Sequence, residues 1–246
     1  MIASLGMYDM APVQAANDRF WDLIRAALGY GPDRLTRADE LWEIWQSPDL
    51  LLAQTCGMPY RTRLCDDVAL VGTPDYGVEG CPPGYYRSVL VVRADDPRQS
   101  EDAFAGARFA FNEPLSQSGW AAPVVHLRAR GVPMGELMQT GAHVASAQAV
   151  ADGRADLAGL DALTWTLMGE HEAVTGRLRV LARTEPTPGL PYITARNRDV
   201  QVIATALRQA ITELTPEDRA ALHLKGLIAI PSETYLAVAT PPAPRM

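Results

Sequence analysis

Short apolar segments alternate with helix-like segments along most of this chain, and no other feature restricts its fold as strongly. Each apolar segment is followed by a polar loop and then by large apolar residues that recur every three or four positions. In the helix predicted over 16–28, the residues of the apolar stripe are Phe20, Trp21, Ile24 and Leu28. Strands that alternate with helices are typical of parallel sheets covered by helices on both faces. The sequence therefore predicts an α/β protein.

The alternation runs through two rounds, about 1–87 and about 95–184, and an extended apolar segment lies at each boundary. These two segments, YYRSVLVVR and PGLPYITAR, indicate that the chain crosses twice between two lobes joined at a hinge. The predicted lobe 1 is 1–90 with 191–246, and the predicted lobe 2 is 91–190. A chain of 246 residues is long enough for two such lobes.

Composition narrows the class of protein. With 48% apolar and 21% charged residues, the chain is globular rather than disordered. A net charge of −7, from 22 basic and 29 acidic residues, repels phosphate backbones and argues against a nucleic-acid partner. The single lysine, Lys225, lies in HLKG rather than in a phosphate-binding loop, which excludes P-loop chemistry.

Location and metal content are inferred from what the sequence lacks. There is no run of 18 apolar residues and no leader with a positive region and cleavage site, so we expect a soluble protein without membrane insertion that is not exported. The three cysteines, Cys56, Cys65 and Cys81, form no CxxC pair. We therefore expect no zinc site, no disulfide and no cofactor.

The loop FNEPLSQSGWAAP is the strongest candidate for binding. In open α/β sheets, ligands lie beyond the carboxyl ends of strands, where helix N-termini present N–H groups. Ser116, Gln117 and Ser118 immediately precede a predicted helix, so their hydroxyl and N–H groups could converge on a phosphoryl or carboxylate oxygen. The alternative is plain N-capping of that helix.

Two further loops place polar residues at the same predicted edge. His143 in TGAH and Asp161 follow the next two strands, and they could form an acid/base pair or donate and accept hydrogen bonds from a ligand. No stronger catalytic set is present, because the sequence contains no HExxH, GxSxG or GxGxxG motif. We therefore assign no catalytic residue, and we expect His126 to lie on the surface.

On the first lobe, the matching edge carries tyrosines. Tyr8, Tyr60 and Tyr76 lie in or near loops that follow predicted strands. Aromatic side chains beside polar groups suit a small polar ligand with an apolar body. For Tyr8 and Tyr76 the alternative is packing on their own sheet, and Trp120 is equally open between a pocket wall and the core.

The order of these segments resembles the phosphate/phosphite/phosphonate-type substrate-binding proteins of ABC transporters, over about residues 2–213. The most specific parts are the S-x-S-G loop before a helix and the block G-x-H-x-x-S-x-x-A-V-x-x-G-x-x-D. The resemblance implies a two-lobed type 2 periplasmic-binding-protein-like α/β fold, with two hinge-crossing strands and the ligand held in a cleft as the lobes close.

The resemblance also implies a set of ligand-binding residues: Tyr8, Tyr60, Tyr76, Ser116, Gln117, Ser118, His143 and Asp161. In the family the middle residue of the anion loop is commonly Thr, so Gln117 removes one hydroxyl and puts phosphonate itself in question. An Asp or Glu at the place of Asp161 binds an amino or hydroxyl group of the ligand.

We therefore expect a monomeric solute-binding protein that captures a small anion, phosphate- or phosphonate-like, for an ABC transporter permease and without turnover. The resemblance implies a periplasmic location, whereas the missing leader favours the cytoplasm. Two alternatives stay open. One is a cytosolic enzyme on the same scaffold, similar to menaquinone-pathway dehydratases or pyrimidine-forming enzymes, and the other is a ligand-sensing module.

Overall fold

A computed structural model describes residues 1–244 of the chain. Its strands, in chain order, are β1 (Ile2–Ser4), β2 (Leu50–Gln54), β3 (Val68–Asp75), β4 (Tyr85–Tyr86), β5 (Ser88–Arg93), β6 (Phe109–Phe111), β7 (Leu137–Gln139), β8 (Leu157–Asp161), β9 (Leu178–Arg183), β10 (Thr187–Pro188), β11 (Tyr192–Ala195) and β12 (Gly226–Ile228). Its α-helices are α1 (Gln14–Leu28), α2 (Leu41–Trp45), α3 (Gly57–Pro59), α4 (Ala122–Ala129), α5 (His143–Ala151), α6 (Ala162–His171), α7 (Val200–Glu213), α8 (Pro216–Leu222) and α9 (Ser232–Leu236).

The chain divides into two compact units. Unit 1 comprises Met1–Tyr85 and Pro188–Ala237, and unit 2 comprises Tyr86–Thr187 with the described residues from Val238 onward. The short strands β4 and β10 pair with each other where the chain first leaves unit 1 and where it returns. The tail departs from the sequence prediction, which assigned all of 191–246 to lobe 1. From Val238 the tail packs with unit 2, where the Trp120 indole donates to the Pro242 carbonyl.

The sheet of unit 1 has the strand order β1-β2-β11-β3-β12. β1 and β2 are parallel, whereas β11 runs antiparallel to both of its neighbours and β12 runs antiparallel to β3. In unit 2 the order is β7-β6-β8-β5-β9, with β6 parallel to β7 and β8 and with β5 antiparallel to β8 and β9. Both sheets are mixed.

The prediction of parallel sheets is therefore wrong for the strands that follow the crossings. β5 and β11 are the first long strands after the chain enters unit 2 and re-enters unit 1. Each is reached through an extended segment rather than a helix, and antiparallel pairing needs no helical crossover. The strands separated by helices, such as β6, β7 and β8, do pair in parallel as predicted.

Unit 1 buries an apolar cluster on each of two sides. The stripe predicted in α1 is confirmed, since Phe20, Trp21 and Ile24 are at most 1% exposed and the helix ends at Gly29 in the left-handed conformation. They pack with Leu207 of α7 in one cluster. A second cluster contains Trp45, Tyr60 and Tyr235. Truncation of one such aromatic side chain to Ala costs about 3–5 kcal/mol of folding free energy.

The topology also places the loops. Because β6, β7 and β8 are parallel, their carboxyl ends at Phe111, Gln139 and Asp161 meet at one edge of the sheet of unit 2. β2 and β3 are each antiparallel to β11, so their carboxyl ends at Gln54 and Asp75 share one edge of unit 1. Within residues 1–244, no helix is long and apolar enough to cross a membrane.

Candidate functional site

The serine loop forms a tight helical turn in unit 2. The Ser116 side chain accepts from the Gly119 N–H at 2.9 Å, and the Ser116 carbonyl accepts from the N–H groups of Trp120 and Ala121. Gln117–Ala121 is a π-helical turn that leads directly into α4. Such turns occur frequently at functional sites. The expected N-cap is thus present at Ser116, which leaves Ser118 for another role.

Close packing explains the glycine of this turn. A Cβ at Gly119 would lie 1.9 Å from Asn112 Oδ1, and a Cβ at Gly159 of β8 would lie 2.4 Å from a side-chain atom of Pro123. The turn therefore rests against the neighbouring strand and loop with no room for a methyl group. Ser116, Gln117 and Ser118 are at most 6% exposed. A turn packed this closely holds its hydroxyl groups in one arrangement.

Ser118 and His143 are brought together as the loop positions predicted. Ser118 Oγ lies 3.1 Å from His143 Nε2, and His143 is the first residue of α5. Next to them, the Thr140 hydroxyl bonds to Ser146 Oγ at 2.6 Å and donates to the Phe111 carbonyl at the end of β6. The Ser118–His143 hydrogen bond thus joins side chains of two loops at this edge of unit 2.

His143 is electrically neutral at physiological pH. Burial lowers the pKa of its imidazole to about 4, and the Gly159 backbone opposes this shift only in part. The residue is half-buried as a whole, and its Nδ1 atom is almost completely shielded from solvent. A neutral imidazole exchanges one hydrogen bond with Ser118 without adding positive charge to the network.

Asp161 caps a helix, a role that the sequence analysis did not predict. Its carboxylate accepts from the N–H groups of Leu163 and Thr164, at 2.8 and 3.0 Å, so it is the N-cap of α6. It is 2% exposed. The hydrogen-bond partner of His143 Nε2 is therefore Ser118, rather than Asp161 as in the acid/base pair considered from the sequence.

In unit 1, Tyr8 and Tyr76 meet as expected from their loops. Their rings form an edge-to-face pair with centroids 5.2 Å apart. Gln54 donates to the Tyr76 hydroxyl at 3.1 Å and to the Leu190 carbonyl at 3.0 Å. Burial, with the nearby Tyr76, raises the pKa of Tyr192. Sequence reasoning missed Gln54, and its signal was a glutamine at the end of the apolar strand LLLAQ.

Tyr60 has a different place from the one predicted. It is 2% exposed, its hydroxyl bonds to Ser232 Oγ at 2.8 Å, and its ring contacts Tyr235 in the second apolar cluster of unit 1. The π-helical turn Tyr60–Leu64 points this side chain into the core. Since both its ring and its hydroxyl are engaged there, we leave Tyr60 out of the proposed site.

The prediction that His126 lies on the surface is wrong. His126 is 5% exposed, and its Nε2 atom pairs with Glu101 Oε1, while Arg130 pairs with the other carboxylate oxygen. Its helix α4 turns this residue toward the segment around Glu101 rather than toward water. Among the described residues, no group of three or more His, Cys, Asp and Glu is arranged to hold a metal ion.

Residues 52–233 match the family model described as ABC transporter, phosphonate, periplasmic substrate-binding protein. A binding protein component of an ABC phosphonate transporter from Pseudomonas aeruginosa, PA3383, is 17% identical, with a TM-score of 0.72 over 95% of this chain and 82% of that one. PhnD1 from Prochlorococcus marinus, solved with methylphosphonate, is 17% identical, with a TM-score of 0.68 over 90% of each chain. XAC2383 from Xanthomonas citri, solved with chloride, is 15% identical, with a TM-score of 0.70 over 95% of this chain and 92% of that one. A comparison with the curated proteins found no match.

These likenesses confirm the expected α/β, two-lobed type 2 periplasmic-binding-protein-like fold. The family model covers well over half of the chain, and the family is a substrate-binding component of a transporter rather than an enzyme. Solute binding is thus the role of this protein. The chain belongs to the family of periplasmic phosphonate substrate-binding proteins of ABC transporters.

Proposed function

We propose that the chain binds a small phosphonate- or phosphate-like anion at the edge of unit 2, through the turn that carries Ser116, Gln117 and Ser118. The observation that supports this most strongly is the Ser118–His143 pair, with 3.1 Å between Oγ and Nε2. A hydroxyl that shares a hydrogen bond with a neutral imidazole can donate its own proton to an anion while His143 donates to the hydroxyl oxygen.

The helical turn would supply the backbone part of such a site. N–H groups at the start of a helix have no intrahelical acceptors, and they carry the positive end of the helix dipole. Ser116 Oγ takes up the Gly119 N–H, so we assign the anion to the Ser118 hydroxyl and to the N–H groups that begin the turn. In this proposal recognition depends on dipoles and hydroxyls, without a lysine or arginine in the turn.

The remaining predicted residues enter the proposal in different ways. Asp161 is proposed to accept a hydrogen bond from an amino or hydroxyl group of the ligand, in addition to capping α6. Tyr8 and Tyr76 present the aromatic surface of unit 1 and are proposed to contact the organic part of the ligand. Gln117, at the position where the family commonly has Thr, is proposed to alter which anion is preferred.

The experiment is calorimetric titration of the purified protein with methylphosphonate, inorganic phosphate and chloride. We expect saturable micromolar or tighter binding of one oxyanion, recovered unchanged after incubation. The Ser118→Ala variant should lose about 1.5–3 kcal/mol of binding free energy, because it removes a charge-assisted hydrogen bond. Ser232→Ala is the matched control, since Ser232 also bonds to a side chain but lies in unit 1.

Unchanged affinity in Ser118→Ala, with a bound oxyanion in both proteins, would contradict the site. Turnover of the added compound would contradict the transport role.

We further propose that the protein works as a monomer in the periplasm and delivers its ligand to an ABC permease. The family is periplasmic, which supports the location. Fractionation of the native host should find the protein in the periplasm, and deletion of a permease gene that serves it should abolish uptake of the bound anion. Retention in the cytoplasm would argue against this role, and elution at twice 26.7 kDa would argue against a monomer.

A further inference from the structure

The tail of the chain packs against unit 2 and lies beside a groove. After α9 the sequence reads AVATPPAP, and the part of it from Val238 onward packs with unit 2 although α9 itself belongs to unit 1. Proline lacks an N–H group and fixes its φ angle, so such a segment is extended and offers carbonyl groups as acceptors. The groove beside it has a volume of about 570 Å³, and its walls include Val124 and Leu127 of α4, Val132 and Leu137.

Trp120 makes a polar contact with the tail. Its indole N–H donates to the Pro242 carbonyl at 3.0 Å, and the residue is 5% exposed. An aromatic ring with an N–H donor that meets a proline-rich segment is the chemistry by which proteins recognise polyproline conformations. Without the tail, the indole N–H would lose this acceptor.

Trp120 is also part of the serine turn. Its backbone N–H donates to the Ser116 carbonyl at 3.2 Å, and its ring packs on Phe111, the last residue of β6, with centroids 5.1 Å apart. The same side chain therefore touches the strand that precedes the turn and the tail, while its backbone belongs to the turn itself. Trp120 thus packs on Phe111 and also lines the groove beside the tail.

We propose that the segment 238–244 is a clamp that positions the serine turn through Trp120, with Pro242 as the residue that holds the indole. This inference rests on the proposed function, because it gives the clamp the task of fixing the anion-binding hydroxyl of Ser118. Trp120 and Pro242 are positioning residues and do not contact the ligand. Loosening the clamp lets the turn fluctuate, and affinity falls because the hydroxyls must then be ordered on binding.

The first test does not depend on any ligand. Amide hydrogen exchange is measured in the full chain, in a chain ending at Ala237 and in Trp120→Phe, which keeps an aromatic ring but removes the N–H donor. We expect exchange at the amides of positions 119, 120 and 121 to accelerate about tenfold in both variants, corresponding to about 1.4 kcal/mol. Amides of helix α7, which belongs to unit 1, should not change. Trp165→Phe, in the same unit, is the matched control for the substitution.

The second test restores the clamp from outside. The synthetic peptide VATPPAPRM, added at millimolar concentration to the chain ending at Ala237, should slow exchange of the turn amides again. It should have no such effect when Trp120→Phe is added to the shortened chain. If the turn amides exchange equally in the full chain, the shortened chain and Trp120→Phe, the proposal is wrong. If the shortened chain does not fold, the exchange rates of the turn amides in Trp120→Phe and in the full chain decide whether the proposal holds.

A third measurement separates this inference from the proposed function. Both variants should bind methylphosphonate about tenfold more weakly than the full chain, and combining them should give little further loss because they remove the same contact. If the full chain binds no methylphosphonate, the proposed ligand is wrong, whereas the exchange results still decide the clamp. Additive losses in the combined variant would show that tail and indole act separately, which contradicts the clamp.

Discussion

The two units end their strands in chemically different loops. At its edge, unit 2 gathers small hydroxyl groups and one neutral imidazole, including Ser116, Ser118 and His143, in a network of hydrogen bonds. The corresponding edge of unit 1 carries the edge-to-face pair of Tyr8 and Tyr76, with a buried glutamine behind it. A shared α/β plan therefore carries two chemically different edges, one polar with directional hydrogen-bonding groups and one aromatic.

The electrostatics of the two edges differ as well. Unit 2 keeps His143 neutral by burial, so an anion there would be held by hydroxyl and N–H dipoles rather than by a full positive charge. The tyrosines of unit 1 offer ring faces and edges that suit an apolar or organic group. Because the two edges differ in this way, we expect substitutions in unit 1 and in unit 2 to have different effects on stability and binding.

Gly119→Ala should be the most damaging small change at the unit 2 edge. The added methyl group would lie 1.9 Å from Asn112 Oδ1, so the Asn112 side chain or the turn must move. We expect a loss of up to about 3 kcal/mol in unfolding free energy and weakened anion binding, measured by urea denaturation and calorimetry. Gly169→Ala in α6 is the control, because no atom lies near its added Cβ, and it should stabilise the protein by about 0.5–1 kcal/mol. Equal stability of the two variants would show that the turn is loosely packed.

His143 should make stability depend on pH in acid. Its pKa is about 4 when folded, against 6.5 for the free side chain. The unfolded chain therefore takes up the proton first, and the stabilisation is fully present above pH 6.5 and is lost as pH falls towards 4. The loss should reach about 3 kcal/mol relative to His143→Asn, which cannot titrate there. Unfolding free energies of the two proteins that run parallel over this range would contradict a neutral, buried imidazole.

Tyr76→Phe tests the aromatic edge of unit 1. The variant keeps the ring pair with Tyr8 but removes the oxygen that accepts from Gln54. We expect a loss of about 1 kcal/mol in unfolding free energy, with a smaller effect on methylphosphonate affinity than Ser118→Ala. If Tyr76→Phe abolished binding while Ser118→Ala left it intact, the assignment of polar recognition to unit 2 would be reversed.

Gln117→Thr should have the smallest effect on binding and tests which anion the turn prefers. Thr restores the hydroxyl that is common in the family at this position, so methylphosphonate affinity should rise by about 0.5–1 kcal/mol. Calorimetry with methylphosphonate and phosphate measures the change in preference. Weaker binding of both anions would mean that the Gln117 amide itself holds the ligand.

Local patterns predicted much of this molecule. The stripe of α1 and the cap at Ser116 follow from short-range spacing. Such features depend on neighbours three or four positions apart. The loops that carry Ser118 and His143 could also be placed together, because parallel strands bring their carboxyl ends to one edge.

Other features depend on contacts distant in sequence. The burial of His126 beside Glu101 and the engagement of Tyr60 by Ser232 are set by packing between segments 25 and 172 residues apart. The reversed direction of β5 and β11 follows from how the chain enters each unit, and helix periodicity carries no information about that. The packing of the tail on unit 2 likewise depends on contacts distant in sequence, such as the one between the Trp120 indole and the Pro242 carbonyl.

Binding of the anion at the serine turn is tested by an NMR titration of the isotopically labelled protein with methylphosphonate. The titration monitors backbone amides and histidine ring nitrogens. We predict saturable shifts of the Ser118 and Gly119 amides and of the His143 ring, with equal apparent affinities, while the His126 ring does not change. Saturable binding that leaves the resonances of the Ser116–Gly119 turn and of the His143 ring unchanged would show that the anion binds elsewhere.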